Sequence, residues 1–428
     1  MKRALCLYRG FFIWSVVSFL VFTFCIASYA GEITVEIWGI SVYEKATKVA
    51  WENMVDEFAK ETGIRIKFLS IPYSDYETKF RVAAAAGQLP DIYQIDNIFI
   101  PAYTERGLVA DLSRIIPKEV IKDYWESIRP IMFYPYPPGT ILRAIPHHMS
   151  VTVFLYNTRM LKDAGYKNPP KYWDEMLEIA QKCTKDFNGD GKIDQYGLRI
   201  PAARNEGGVY QVLPFLQMKG GGMLSDDGKK VIVNNKGSIE AFQFLQDLIY
   251  KYKVMPLEGT IQAGPEGPWV GEKVAMQFDW GSAVGGYEQN YPNFTTWDVG
   301  YTPYPRDGKR VVGLGGWYFA MVPKPKNPEA AARVMNFLSS EKYIRDFQGV
   351  FNPPITRKSI ALKVQLSRRQ RIMLEGFKWG KIRPRHPEYA KISEAFQEAI
   401  DRILFGRQSV TEVLNDVAVK MSSIIGSK

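Results

Sequence analysis

The chain is poor in cysteine. It has three in 428 residues, of which Cys6 and Cys25 lie within the first thirty and only Cys183 beyond them. One thiol cannot close an internal disulfide, so the mature chain must be held by its core, and paired-cysteine metal or redox chemistry is excluded. Cys183 itself is expected as a small buried apolar side chain of a helix. Past the N-terminus no apolar run approaches the roughly 20 residues that span a bilayer. Low-complexity tracts, internal repeats and a linker rich in Pro, Gly and Ser are absent. Common enzyme signatures are missing too. There is no GxSxG elbow and no HExxH. Residues 222–228 followed by Lys229-Lys230 are one residue too long for a phosphate loop, and no Ser or Thr follows. Long runs of one charge sign are also missing. The balance of +10 is spread along the chain among acids, densest at Arg368-Arg369-Gln370-Arg371, and reads as solvated surface with no nucleic-acid partner.

The first thirty residues read as a secretory signal peptide. Lys2, Arg3 and Arg9 give a positive start, an apolar run covers residues 11–26, and Ser28-Tyr29-Ala30 places small residues at the −3 and −1 positions. Cleavage is expected after Ala30, with a secreted or periplasmic product. The run is shorter than a span prefers, and Phe22-Thr23-Phe24 before Cys25 lacks the small residues of a lipobox. Loss of the three basic residues takes the net charge from +10 to about +7.

Aromatic residues, by contrast, are plentiful at 14%. They concentrate with glycine in residues 272–323. This stretch reads as a buried strand over 274–278, then Asp279-Trp280-Gly281, then a helix beginning at Ser282. A looser aromatic segment follows, then a glycine-rich passage over 311–316 and an apolar strand over 317–322. A strand, a turn with a polar and an aromatic residue, and a helix is how open α/β sheets present a ligand site. The N-terminal third alternates as strands over 33–38, 64–71 and 92–95 with helices over 45–62 and 75–86, which implies a parallel sheet covered by helices. Residues 144–156 form a long extended apolar segment and 157–164 a short helix. Further helices are expected over 172–184, 207–218, 238–252, 328–339, 387–405 and 409–424. The length and the unbroken alternation suggest two cores joined by chain crossovers.

Five segments, in order, carry a family resemblance: Gly87-Gln88-Leu89-Pro90-Asp91-Ile92; Ile145-Pro146 through Leu155-Tyr156-Asn157; Pro169-Pro170-Lys171-Tyr172-Trp173-Asp174-Glu175; Gly271-Glu272-Lys273-Val274-Ala275-Met276; and Gly315-Gly316-Trp317 with Pro328-Glu329-Ala330-Ala331. Together they resemble the extracellular solute-binding proteins, family 1, of ATP-binding-cassette importers, the type that includes the maltodextrin-binding proteins. The resemblance implies an α/β periplasmic-binding-protein type II fold, with two α/β lobes joined by three crossover segments that hinge shut on ligand. Residues 31–148 and 315–350 would form the N-terminal lobe, and 151–312 and 356–428 the C-terminal lobe. The crossovers would lie near 148–152, 312–316 and 349–356. The implied partners are a saccharide and the transmembrane subunits of a permease, with the chain a monomer.

A sugar offers apolar ring faces and a rim of hydroxyls, so its site needs aromatic platforms beside carboxylate, amide and guanidinium groups. Strand ends supply these at Trp38, at Gln94, Asp96 and Asn97, and at Asp279 and Trp280. Gly316, Trp317 and Tyr318 follow at the glycine crossover. The resemblance adds Tyr210 from the second lobe, with Arg204 and Asn205 in the loop before it. His147 and His148 adjoin a hinge and read as structural. Separately, Asp186, Asn188, Asp190, Lys192 and Asp194 occupy ligand positions of an EF-hand-type calcium loop, but position 12 is Gly197 and not the bidentate Glu. A bare Asn-Gly/Asp-Gly turn and a structural calcium site away from the cleft both stay open, and no cofactor is required. The leading function is a non-enzymatic binding protein for a saccharide. A glycerol phosphodiester or polyol is the alternative ligand. A carbohydrate-active enzyme using Asp96 and Asp279, or a sensory subunit, are the other classes.

Overall fold

The computed structural model describes residues 33–40, 45–135, 141–257, 267–348 and 355–426. The expected signal peptide with its cleavage site after Ala30, and residues 349–354 of the third expected crossover, lie outside them.

The β-rich, alternating segment at the start becomes strand β1 (Ile33–Gly39), which pairs in parallel with β2 (Ile64–Ser70) and with β3 (Ile92–Asp96). The connecting helices, Lys45–Thr62 and Tyr73–Ala85, close the β-α-β-α-β unit. The first turns sharply into β2 at Gly63, whose φ of 70° suits a residue without Cβ. Asp91 precedes β3 and is buried. Its carboxylate accepts the Glu36 N–H at 2.9 Å and the Lys326 N–H at 2.7 Å, so it ties the strand start to two neighbouring segments.

Strand β4 (Ile145–Asn157) is the organising element. Its first half, up to Val151, pairs antiparallel with β8 (Val312–Met321). From Thr152 onward it pairs with β6 (Val274–Trp280), and its end also meets β7 (Trp297–Gly300). β8 in turn pairs antiparallel with β3. β5 (Tyr196–Arg199) lies beside β6, and β9 (Gly380–Ile382) beside β8. The sheet order is therefore β2-β1-β3-β8-β4-β6-β5, with β7 and β9 off that path. One strand, changing partners between Val151 and Thr152, carries the chain from one α/β half to the other.

Alternation along β4 sends its side chains into two cores, because successive residues of a strand point to opposite faces. Val151, Val153 and Leu155 join a core built on β1, β2, β3 and β8. Phe154 and Tyr156 join a second core with the helices Trp173–Cys183, Glu206–Met218, Lys236–Tyr250, Tyr389–Ile400 and Val410–Gly426. Cys183 is buried in the second core. The aromatic segment after residue 286 is mostly packing: Trp297 is buried, and its indole lies edge-on to Trp269 and Tyr287. Sequence reading missed β5, β7 and β9, which are four, four and three residues long. Strands so short show too few alternations to stand out.

Candidate functional site

A cavity of about 500 Å³ opens where β3, β4, β6 and β8 end or cross. Both halves contribute to its wall. Asp96 comes from the end of β3, His148 and Ser150 from the partner change in β4, and Gly315, Gly316 and Trp317 from β8. Opposite them stand Asn205, Glu206, Gly207 and Tyr210 at the start of the Glu206–Met218 helix, and Trp280 and Ser282 at the start of the Gly281–Asn290 helix. Ile40 and Arg383 complete the lining.

The polar floor is an ion network centred on Arg383, whose side chain is 7% exposed. Its guanidinium donates to both oxygens of Asp96 at 3.0 and 3.2 Å and to Glu206 at 2.7 Å. Glu206 also accepts from the Tyr389 hydroxyl at 3.0 Å and from the Ser393 hydroxyl. Burial pushes the Asp96 carboxyl above the usual range, and the neighbouring Glu206 adds to that push, against the pull of Arg383. The Arg383 guanidinium stays charged because two carboxylates face it. With one cation and two carboxylates, the floor attracts neither free phosphate nor free carboxylate. Among the described residues, Ser150 Oγ, Asn97 Nδ2 and Arg383 Nε close to it are buried without a hydrogen-bond partner. Buried groups left unpaired cost about 1–3 kcal/mol each, and of these three residues Ser150 and Arg383 line the cavity while Asn97 does not.

The aromatic walls are Trp280, Trp317 and Tyr210. Trp280 is half-buried and its six-membered ring leans over Gly207, where a Cβ would come within 3.0 Å of Cζ2. Trp317 stands edge-on to Tyr76 at 5.3 Å. The Tyr210 hydroxyl donates to the Ser150 and Gly313 carbonyls at 2.8 and 2.9 Å, pinning β4 to β8, while its ring lies under the Arg383 guanidinium. Gly316 has φ 149°, and a Cβ there would sit 2.2 Å from the His148 carbonyl oxygen. Only glycine lets the two strands approach so closely. Burial holds the His148 imidazole down at about 4, so it lines the cavity uncharged. His147 points into the core, against the Tyr343 hydroxyl at 2.8 Å.

Of the residues expected from sequence, Asp96, Asn205, Tyr210, Trp280, Gly316 and Trp317 come together in this wall. The others take supporting or remote places. Asn97 is buried behind the wall, its Oδ1 3.4 Å from Arg383. Gln94 is buried and accepts the Ile40 N–H at 2.8 Å, so it fixes a residue that lines the cavity. Asp279 is buried and accepts from Tyr287 at 2.7 Å, Gln277 at 2.8 Å and the Trp280 N–H at 2.8 Å. Tyr318 is fully buried. Asp279 beside Trp280, and Tyr318 beside Trp317, are corrected by one rule: of two successive strand residues only one faces a given side. The proposed Asp96–Asp279 catalytic pair therefore does not share the cavity. Trp38 sits in the first core with its indole N–H on Glu36 at 3.1 Å. Arg204 is half exposed and turns to Asp401 at 3.5 Å.

Sequence reasoning missed Glu206, Arg383, Ser150 and Ser282. Glu206 had a signal, since it follows the helix-capping Asn205. Arg383 had none: Lys381, Arg383 and Arg385 look alike in sequence, and only the fold buries the middle one.

The 186–194 loop lies apart from the cavity. Its side-chain oxygens accept the loop's own backbone N–H groups, with Asp186 taking Gly189 and Gly191, Asn188 taking Asp190, and Asp190 taking Lys192. Asp194 accepts the Phe187 N–H. Among the described residues no group of three or more His, Cys, Asp or Glu side chains is placed to hold a metal ion, and no helix is long and apolar enough to cross a membrane.

Comparison with known proteins gives concordant matches. The sequence profile of bacterial extracellular solute-binding proteins matches residues 44–344. A probable ABC transporter-binding protein of Deinococcus radiodurans is 29% identical over 311 residues, 70% of this chain and 71% of that protein. A diacetylchitobiose-binding protein of Streptomyces coelicolor is 25% identical, over 74% of this chain and 71% of its own length. Among solved structures, an ABC transporter solute-binding protein of Thermotoga lettingae bound with alpha-D-tagatose superposes with a TM-score of 0.79 at 26% identity, covering 92% of this chain and 100% of that one. A cyclic alpha-maltosyl-1,6-maltose-binding protein of Arthrobacter globiformis gives 0.78 at 22% identity, covering 93% and 100%.

Proposed function

We propose a function from one premise: the chain belongs to the bacterial extracellular solute-binding protein family. It captures a small uncharged saccharide in the cavity, closes its two lobes around it, and presents the closed form to the membrane subunits of an ATP-driven importer. In this reading residues 31–148 with 315–350 move against 151–312 with 356–428, and β4 and β8 carry the first two crossovers. Closure excludes water and lets both lobes touch the ligand.

The observation that supports this most is the make-up of the cavity. Three aromatic side chains, Tyr210, Trp280 and Trp317, stand around a floor of Asp96, Glu206 and Arg383. Sugar ring faces need the first set and sugar hydroxyls the second. A relative named for diacetylchitobiose and a neighbour bound with tagatose point the same way. A glycerol phosphodiester is disfavoured, because Arg383, the cation of the lining, is already held by two carboxylates. The family relation also supports a non-enzyme. A pair of carboxylates clamped on one arginine is poorly suited to donate and accept protons across a glycosidic bond.

A thermal-shift screen against neutral mono- and oligosaccharides, polyols and glycerol phosphodiesters tests the reading. A saccharide is expected to raise the melting temperature and to be recovered intact after incubation. A rise with polyols or phosphodiesters alone would overturn the ligand class, and release of shorter sugars would overturn the binding-only role.

A further inference from the structure

We propose that the groove between residues 304–311 and 378–381 is a second binding site, for a small organic polyanion bearing phosphate or carboxylate groups. It has a volume of about 520 Å³ and shares no lining residue with the cavity described above. Four cations line it, Lys309, Arg310, Lys378 and Lys381, with the rings of Tyr304 and Trp379, and no carboxylate is among its lining residues.

Arg310 is the centre of the site. It is partly buried, wedged with its guanidinium 4.8 Å from the ring centre of Trp379, 4.9 Å from Tyr304 and 5.3 Å from Tyr301. Its Nε–H donates to the Thr302 carbonyl at 3.0 Å. Among the described residues its outer N–H groups make no hydrogen bond and no ion pair. Three other arginines over rings do meet acids, whereas Arg407 over Tyr250 has no acid partner among the described residues but is exposed to solvent. Arg306 over Tyr172 pairs with Asp174 and Glu175, Arg369 over Trp297 with Glu288, and Arg383 over Tyr210 with Asp96 and Glu206. A desolvated cation without a carboxylate is costly, and an anion in front of it removes that cost. Acids of the neighbouring segments are engaged elsewhere: Asp307 pairs with Lys219 at 2.5 Å, and Glu375 accepts from the Tyr301 hydroxyl at 2.7 Å.

The surrounding lysines set the ligand class. Lys309 and Lys378 are exposed and have no ion-pair partner among the described residues, while Lys381 meets Asp226 at 3.0 Å. These lysines come from two separate segments that line one concavity together with Arg310. Such an arrangement suits several oxyanion groups on one molecule better than a single small ion. The groove also adjoins β9, which pairs with β8 at Val312 to Leu314.

The test is calorimetric titration of the full mature chain with pyrophosphate and with citrate, each against chloride at equal ionic strength. Saturable one-to-one binding is expected with a Kd tighter than about 1 mM, and the better of the two anions assigns the head group. The double variant Lys309→Gln, Lys378→Gln alters only exposed side chains, and should weaken binding by about tenfold or more with an unchanged melting temperature. Trp280→Ala should leave it unchanged. No saturable heat with either anion, or equal binding by the double variant, would overturn the proposal.

Discussion

Trp280 and Arg383 are the two side chains on which the cavity turns. Trp280 presents a half-buried indole over Gly207, and Asp279 holds its backbone from behind. Replacing it with alanine removes a stacking face without touching the core, so saccharide affinity should drop by about tenfold or more while stability changes little. Equal affinity, measured by tryptophan fluorescence or calorimetry, would remove Trp280 from the site. Arg383 behaves differently, because it is structural as well as polar lining. Arg383→Met leaves Asp96 and Glu206 facing each other without their shared cation. A loss of about 3–5 kcal/mol is expected in chemical denaturation. The prominence of these two residues was unequally legible. Trp280 stood out as an aromatic after a five-residue apolar run, whereas Arg383 owes its role to a burial that local sequence does not encode. Trp38 shows the reverse error. A tryptophan at a strand end looks like a platform, yet the first core claims its ring.

Among the elements, β4 and β8 matter most. They are the strands through which the two halves are continuous, and at Gly316 a Cβ would sit 2.2 Å from the His148 carbonyl oxygen. Gly316→Ala would force a Cβ onto the His148 carbonyl and strain a positive φ. It should cost about 2–4 kcal/mol, read as a melting temperature lower by several degrees. A variant as stable as the parent would show that this approach is not needed. The long helices and β4 were legible because their apolar periods run for many residues, and their observed ends fall within a few positions of those expected. The three shortest strands were not, since pairing with a neighbour, not their own pattern, makes them strands. The 186–194 loop belongs to this scale too. Its oxygens are occupied by its own N–H groups, so adding a chelator should leave the melting temperature unchanged within about a degree. A clear drop would mean that calcium holds the loop.

For the molecule as a whole, the family relation and the superposition on solved relatives fix the type II architecture of two α/β lobes. The five segments that resemble this family made that architecture readable, whereas the alternation of strands and helices by itself implied only a helix-covered parallel sheet and two cores. Ligand identity was not readable in the same way, because it depends on groups from seven separated segments meeting in one cavity. The central claim is that a saccharide sits in this cavity, between the lobes. A crystal structure of the chain with the saccharide that most raises its melting temperature tests it most directly. The expected result is a sugar ring against Trp280 or Trp317, with hydroxyls within hydrogen-bond distance of Asp96, Glu206 or Arg383. A saccharide bound elsewhere, with the cavity free of it, would contradict the account.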